Sequence, residues 1–159
     1  MTVSMQDYAM LSSLIYNDIS VNQTFSNGSS TYKVVFAGQA LDGYRGAVFV
    51  NEVTGEVVVS NGGTQLSDVH DIVSDLAMGP GSPPPQLVDA ANLTRWAQQY
   101  AAENGLGEIT ATGHSLGGAL AQLLAAEFGI RAETFNAYGA YDIAVGLGLN
   151  PSAAMELVT

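Results

Sequence analysis

Residues 109–127 read ITATGHSLGGALAQLLAAE, and the rest of the chain can be interpreted from this stretch. A β-favouring tetrapeptide leads into Gly113-His-Ser-Leu-Gly117, and a run of strong helix formers follows. A serine held between a strand and a helix in this way has strained backbone angles, and the residues two before and two after it must be small. The pattern therefore predicts a strand–turn–helix elbow with Ser115 at its tip and Gly113 and Gly117 beside it.

The same stretch suggests what Ser115 could do chemically. A serine hydroxyl is a weak nucleophile unless a base accepts its proton and hydrogen-bond donors stabilise the oxyanion that forms. The elbow supplies one donor, because the amide of Leu116 points to the place where a tetrahedral oxyanion would form, and the positive end of the new helix faces the hydroxyl. Since the five-residue spacing also occurs by chance, the flanking strand and helix carry this interpretation.

Composition narrows the class of protein and its partners. With 159 residues, 47% hydrophobic and 12% charged, we expect a single globular domain over residues 1–159. Four Lys and Arg oppose 15 Asp and Glu, and the formal charge of -11 makes nucleic acid a poor partner. The chain has no cysteine, which excludes disulfides, thiolate metal sites and a cysteine nucleophile. We expect neither a metal nor another cofactor.

The sequence shows no membrane or export signal. Residues 1–7 have neither a basic region nor an apolar core, so we expect no cleavable signal peptide there. No apolar run reaches about 18 residues, the length that a transmembrane helix needs. Acidic, lysine-poor chains without cysteine are nevertheless common among exported bacterial proteins, which favours a secreted bacterial protein.

Hydrophobic periodicity predicts the elements of the N-terminal half. Apolar residues at three- and four-residue steps predict an amphipathic helix over residues 4–18 with Ser4 as its cap. Residues 22–30 are polar and rich in Gly, Ser and Asn, which predicts a loop. We expect the first strand at residues 32–37, followed by a hairpin of residues 46–51 and 56–60.

The remaining segments predict a second layer of helices. Asn61-Gly-Gly-Thr64 ends the third predicted strand and is typical of a simple turn. Residues 65–78 fit a short amphipathic helix; His70 with nearby aspartates favours a solvated helix face over a metal site, because a second histidine is missing. A Pro-rich linker over residues 79–85 and a helix over residues 86–104 precede the elbow, and a short strand at residues 133–136 follows it. We predict an α/β fold, with a mixed sheet that starts antiparallel, continues parallel and carries helices on both faces.

Several motifs together resemble the lipase class 3 group of α/β-hydrolases, the family of fungal triacylglycerol lipases and related bacterial lipases and phospholipases. The likeness extends from about Tyr8 to Asp142. It rests on Gly113-His-Ser-Leu-Gly-Gly118 with Ala119-Leu-Ala121, on Gly63-Thr64 after Val57-Val-Val59, on Ser74-Asp-Leu76, and on Phe135-Asn-Ala-Tyr-Gly139.

The resemblance implies further site residues. Thr64 would be the second oxyanion residue, donating its backbone amide and hydroxyl, and Asp75 would brace the loop that carries it. Residues 65–85 would form the surface lid. The family usually has Phe-Arg-Gly before the oxyanion residue, whereas this chain has Asn61-Gly-Gly63.

The acid and base of the site are harder to assign. α/β-Hydrolases place them after the nucleophile in the order serine, acid, histidine, yet no histidine follows Ser115. We expect His114 to pack beneath the turn, because neighbours across the elbow project away from the serine. His70 in the lid and Asp142 after the next strand are weaker candidates for base and acid, since the family's acid follows a further strand.

These observations lead to two hypotheses. The first is a serine carboxylester hydrolase acting on lipid or other acyl esters at a lipid interface, with the 159 residues forming its N-terminal half. The acid and histidine would then lie outside this chain, which alone would be inactive and would self-associate through an unpaired sheet edge. The second is a non-catalytic hydrolase-like module that binds an acyl ligand or another protein.

Overall fold

A six-stranded mixed sheet forms the centre of the computed structural model, which describes residues 3–63 and 85–135. Its strands lie in chain order from β1 to β6. The first four strands are antiparallel and the last two are parallel to their neighbours, as the sequence predicts. Their bounds are β1 Thr24–Asn27, β2 Ser30–Gln39, β3 Arg45–Val50, β4 Val57–Gly62, β5 Ile109–His114 and β6 Arg131–Phe135.

Helices cover both faces of this sheet. They are α1 Met5–Leu14, α2 Pro85–Glu103 and α3 Leu116–Phe128. On one face Leu11 of α1 packs with Phe49 and Val58 of the sheet. On the other face, residues of α2 and α3 pack against the alternate positions Val57 and Val59. The two-residue period of β4 thus divides its side chains between two apolar layers. No helix in the described ranges has the length and hydrophobicity that a membrane crossing requires.

One predicted loop is in fact a strand. Residues 24–27 pair with residues 30–33 in a hairpin that turns at Gly28, where φ is 65°. The prediction of a loop over residues 22–30 is therefore wrong, and the segment predicted as the first strand belongs to β2. The polar composition of this segment predicted a loop, but two tertiary interactions stabilise it as a strand. These are the pairing with β2 and the contact of Phe25 with Phe49, whose ring centroids are 6.5 Å apart.

Most other elements agree with their predictions. The hairpin of β3 and β4, with Gly55 in its turn at φ 79°, and the helix from residue 85 to residue 103 are confirmed. α1 is shorter than predicted and ends at Leu14, while β6 begins two residues earlier than predicted. Asn61 and Gly62 are strand residues rather than a turn. The predicted helix over residues 65–78 and most of the predicted linker lie outside the described residues.

A buried carboxylate attaches α1 to the sheet. Ser4 caps the helix as predicted, and Asp7 completes a capping box, because Ser4 Oγ accepts from the Asp7 amide and Asp7 accepts from the Ser4 amide. The Asp7 side chain also accepts hydrogen bonds from Tyr32 Oη at 3.0 Å and Asn27 Nδ2 at 3.2 Å. Burial and the adjacent Asp7 raise the pKa of the Tyr32 phenol. One side chain therefore joins the helix start to β1 and β2.

Replacing Asp7 should destabilise the protein more than its size suggests. Asp7→Ala removes the capping box and leaves the buried Tyr32 hydroxyl without its acceptor, so we expect a loss of about 2–4 kcal/mol in the free energy of unfolding. Urea denaturation measures this loss. The exposed Asp18→Ala variant is the control, and a smaller loss from Asp7→Ala in a Tyr32→Phe background would establish the coupling. Equal losses in both backgrounds would contradict it.

Candidate active site

Ser115 lies at a sharp junction between β5 and α3. Its backbone has φ 55° and ψ −121°, a conformation that is costly for a residue with a side chain. The Ser115 amide donates to the carbonyl of Phe135 at 2.8 Å, and its own carbonyl accepts from the Ala119 amide at 3.1 Å. The side chain is partly exposed. The predicted elbow is thus present, and β6 and the first turn of α3 fix it.

Two glycines make this turn sterically feasible. A Cβ at Gly113 would overlap the backbone of Gly117, and a Cβ at Gly117 would overlap the carbonyl oxygen of Asn61. The first contact closes the elbow on itself, and the second seats the start of α3 on the end of β4. Both positions must therefore lack a side chain, as the Gly-x-Ser-x-Gly spacing predicts.

The elbow adjoins the C-terminal end of β4. The side chain of Leu116 is buried, and its Cγ lies 2.7 Å from the place that a Cβ of Gly63 would occupy. Leu116, whose amide is the predicted oxyanion donor, therefore sits next to the residue that precedes Thr64. Thr64 itself, His70, Asp75 and Asp142 lie outside the described residues. The structure accordingly brings together Ser115, Leu116, Gly113 and Gly117 at Gly63.

A buried asparagine, missed from the sequence, supports this end of the sheet. Asn61 accepts a hydrogen bond from Tyr44 Oη at 2.7 Å and donates to the carbonyl of Thr112 at 3.2 Å. It thereby joins the turn before β3 to β4 and β5, close to the elbow. Burial, followed by the nearby carboxylates of Asp89 and Asp42, raises the pKa of Tyr44 and keeps it a donor. The sequence signal for this role is an asparagine that closely follows a run of valines, because a polar side chain buried there needs hydrogen-bond partners.

A second buried amide lies on the other side of Gly63. Gln86, in the first turn of α2, donates from Nε2 to the carbonyl of Asp42 at 2.9 Å. Its Oε1 lies 3.1 Å from the position of a Gly63 Cβ and has no hydrogen-bond partner among the described residues. Gln86 therefore holds the start of α2 against the turn between β2 and β3, directly beside the end of β4.

Steric crowding accompanies the replacement of the usual Phe-Arg-Gly motif by Asn61-Gly-Gly63. A Cβ at Gly62 would lie 3.0 Å from Ile15 Cγ2 and 3.6 Å from the ring of Tyr16. The residues that follow α1 thus occupy the space that a longer side chain at position 62 would need. Arg45, paired with Gly62 across the sheet, reaches the carbonyl of Tyr16 at 3.5 Å.

His114 does not pack beneath the turn, so that prediction is wrong. Its side chain is exposed and lines a cavity of about 450 Å³ together with Tyr16 of the α1 region and Phe135 of β6. The alternation of side chains along β5 explains this position. The Thr110 hydroxyl accepts a hydrogen bond from Tyr8 of α1 at 2.8 Å, and His114, four residues later, lies on the same face of the sheet. Across residues 3–63 and 85–135, no group of three or more acidic, His or Cys side chains could hold a metal ion.

Lipases from fungi are among the solved structures that share this architecture. Lip2 lipase from Yarrowia lipolytica has a TM-score of 0.58 and 14% identity, and the match covers 84% of this chain and 58% of that one. For the mono- and diacylglycerol lipase from Aspergillus oryzae the TM-score is 0.55 and the identity 17%, with 80% and 58% covered. A mutant form of MDLA from Penicillium cyclopium gives 0.53 and 21%, with 81% and 57% covered. These likenesses confirm the predicted lipase-like α/β-hydrolase fold.

The chain spans 57–58% of the length of these three lipases. No curated protein sequence matches it. A family model for phospholipase-like proteins does match, over residues 7–147, which is most of the chain. The chain therefore belongs to the family described as the Tle-like phospholipase domain.

Proposed function

We propose that this chain carries the nucleophile of a lipid ester hydrolase, and that Ser115 is that nucleophile. The observation that carries the proposal is the Ser115 backbone, which holds a φ of 55° at the junction of a strand and a helix. Such strain is kept at functional sites when the surrounding structure enforces it, and here Gly113, Gly117 and the carbonyl of Phe135 enforce it.

In the proposed reaction Ser115 Oγ attacks the ester carbonyl carbon and forms a tetrahedral oxyanion. The amides of Leu116 and Thr64 and the Thr64 hydroxyl stabilise this oxyanion, with Asp75 bracing the Thr64 loop and residues 65–85 forming a lid. A histidine takes the proton from Oγ and passes it to the leaving alkoxide, which departs as an alcohol; water then releases the acid from the acyl-serine. We assign this histidine and its acid to residues outside the 159, because no histidine follows Ser115.

Lipid esters are the substrate class that the relatives support. The family is phospholipase-like by its description, and the fungal structures of the same fold are named as lipases. The formal charge of -11 disfavours strongly anionic surfaces, so neutral or zwitterionic interfaces suit the chain better. We also expect the 159 residues alone to self-associate, with β6 as an edge strand of the described sheet.

The alternative is a non-catalytic module that binds an acyl ligand or another protein. The lack of a histidine after Ser115 favours it, because a serine without a base is a poor nucleophile. His70 and Asp142 remain weaker candidates for base and acid in this chain. Replacement of Ser115 and labelling with an active-site probe separate the two functions.

Replacing the nucleophile should abolish ester hydrolysis. In the natural protein we expect Ser115→Ala to lower kcat for a short-chain nitrophenyl ester by on the order of 10⁶-fold, since no covalent intermediate can form. Initial rates measure the effect, and Ser26→Ala, an exposed serine on β1, is the matched control. An unchanged rate in Ser115→Ala would exclude Ser115 as the nucleophile.

Removing the Thr64 hydroxyl should affect the transition state more than binding. Thr64→Val keeps the backbone amide and approximate volume, so we expect kcat to fall by about 10²–10³-fold with KM nearly unchanged. Steady-state kinetics gives both constants, and Thr31→Val on an exposed position of β2 controls for general effects. A rise in KM with unchanged kcat would instead assign Thr64 to ground-state binding.

A fluorophosphonate probe distinguishes hydrolase from binding module. We expect the natural protein to be labelled at Ser115 and the isolated 159-residue chain to remain unlabelled, because the base is assigned outside it. Mass spectrometry of the labelled peptide identifies the residue. Labelling of the isolated chain would place an assembled base within it, and absence of labelling in the natural protein would favour the module.

A further inference from the structure

A second cavity lies away from the elbow, between α2 and the hairpin of β2 and β3. Its volume is about 360 Å³, at the lower end of the range of small-molecule sites. The wall from α2 consists of Asp89, Asn92, Leu93 and Trp96, which follow the three- and four-residue steps of one helix face. Phe36 and Tyr44 form part of the opposite wall.

A β-bulge and a pair of glycines shape this cavity. The pairing of β2 with β3 shifts between Val34 and Phe36, so Val34 packs with α1 whereas Phe36 faces the α2 layer. Gly38 then pairs with Gly46, and a Cβ at Gly46 would lie 2.5 Å from Leu93 Cδ2. Leu93 and Tyr44 fill the space that a side chain at Gly46 would need, and the ring of Phe36 lies over Gly38.

Three aromatic residues line the cavity, and the rings of two of them pack on one another. Trp96 is stacked on Tyr100, with ring centroids 5.1 Å apart and planes inclined by 20°. Phe36 meets Trp96 at 5.3 Å with a tilt of 48°. Tyr100 thus supports Trp96 from one side, and at 37% exposure the indole remains accessible from the cavity mouth. Aromatic faces of this kind attract cations.

A pair of carboxyl groups adjoins these rings, and no Lys or Arg among the described residues pairs with it. Asp89 lies in the cavity wall near Asp42, and hydrogen bonding with the Asp42 carboxyl first and burial second raise the pKa of Asp89 to about 6. Asp89 Oδ2 is buried and accepts no hydrogen bond among the described residues. Tyr44 is the other titratable group beside the pair. Two adjacent carboxylates are stable together only with a proton or a cation.

No Lys or Arg side chain of this protein is free to pair with these two carboxyl groups. All four Lys and Arg side chains are engaged elsewhere. Lys33 pairs with Glu52 at 3.2 Å, Arg131 with Glu108 at 2.9 Å, Arg95 with Glu127 at 3.5 Å, and Arg45 donates to the carbonyl of Tyr16. A cation that neutralises Asp42 and Asp89 must therefore come from outside these four side chains.

We propose that this cavity binds a small organic ammonium ion, with its charge beside Asp89 and its methyl or methylene groups against Trp96 and Phe36. A hard metal ion fits less well, because such ions need several oxygen ligands and water, and this lining is mainly apolar. An alkyl chain would use the rings but would leave the carboxyl pair uncompensated. An ammonium group with apolar substituents satisfies both parts of the cavity.

Tryptophan fluorescence provides the test, since Trp96 is the only tryptophan in the chain. We expect choline and tetramethylammonium to change its emission saturably, and the uncharged carbon isostere of choline to have little effect. Affinity should rise as the pH is raised through about 6, because the ionised pair binds the cation. Equal binding of the isostere, or no saturable binding of choline, would overturn the proposal.

Substitutions of Asp89 and Trp96 distinguish the contribution of charge to choline binding from that of aromatic packing. Asp89→Asn keeps the shape and should weaken choline binding by about tenfold or more, and Trp96→Leu, measured by calorimetry, should weaken it as well. Glu103→Gln, at the far end of α2, is the matched control. Circular dichroism checks that each variant is folded. Unchanged affinity in a folded Asp89→Asn variant would contradict the assignment of the charge.

The ammonium group could be free or part of a lipid headgroup. Co-sedimentation with phosphatidylcholine vesicles, but not with phosphatidylglycerol vesicles, would support delivery by a lipid, provided that Asp89→Asn abolishes it. Choline binding without vesicle binding would support a soluble amine. Preference for the phosphatidylglycerol vesicles in an Asp89-dependent manner would contradict ammonium recognition.

Discussion

The contact between Gly117 and the carbonyl of Asn61 is the constraint on which the rest of the molecule depends. It seats the first turn of α3 on the end of β4, so that the helix cannot move away without uncovering the sheet. The tight approach forces the chain to turn within Ser115, which accounts for the positive φ there. The same approach brings Leu116 over Gly63, and it leaves Asn61 buried with its amide bonded to Tyr44, just before β3, and to β5. The fold and the candidate site therefore both depend on this close contact between the backbones of α3 and β4.

The elbow could be predicted from the sequence because its causes are local. Gly113, Ser115 and Gly117 lie within five residues, and a steric rule connects them directly. The mixed sheet followed from similar reasoning, since the Gly55 hairpin and the strand–helix–strand order each restrict the topology. The hairpin of β1 escaped prediction because its stability depends on β2 and on Phe49, which is distant in sequence.

The supporting residues of the site could not be found in the same way. Asn61, Tyr44 and Gln86 act across the fold, with the Tyr44 hydroxyl reaching β4 and the Gln86 amide reaching the turn at Asp42. Their residue types are ordinary, and only the packed structure shows that their polar atoms are buried. His114 illustrates the same limit, because the face on which it lies is set by the position of α1 beyond the sheet. The roles of these residues depend on packing between distant parts of the chain, whereas the roles of the elbow glycines follow from local sequence.

The division of the sheet into an antiparallel and a parallel half also has a consequence for the order of folding. β1 to β4 are joined by short turns, so their contacts close small loops, and α1 lies beside them in the sequence. The pairing of β4 with β5 joins Val57 to Ile109 and must close a much longer loop. Because loop closure costs more entropy as the separation grows, the N-terminal meander can form before β5 docks. The strained serine is then created last, on a template that is already in place.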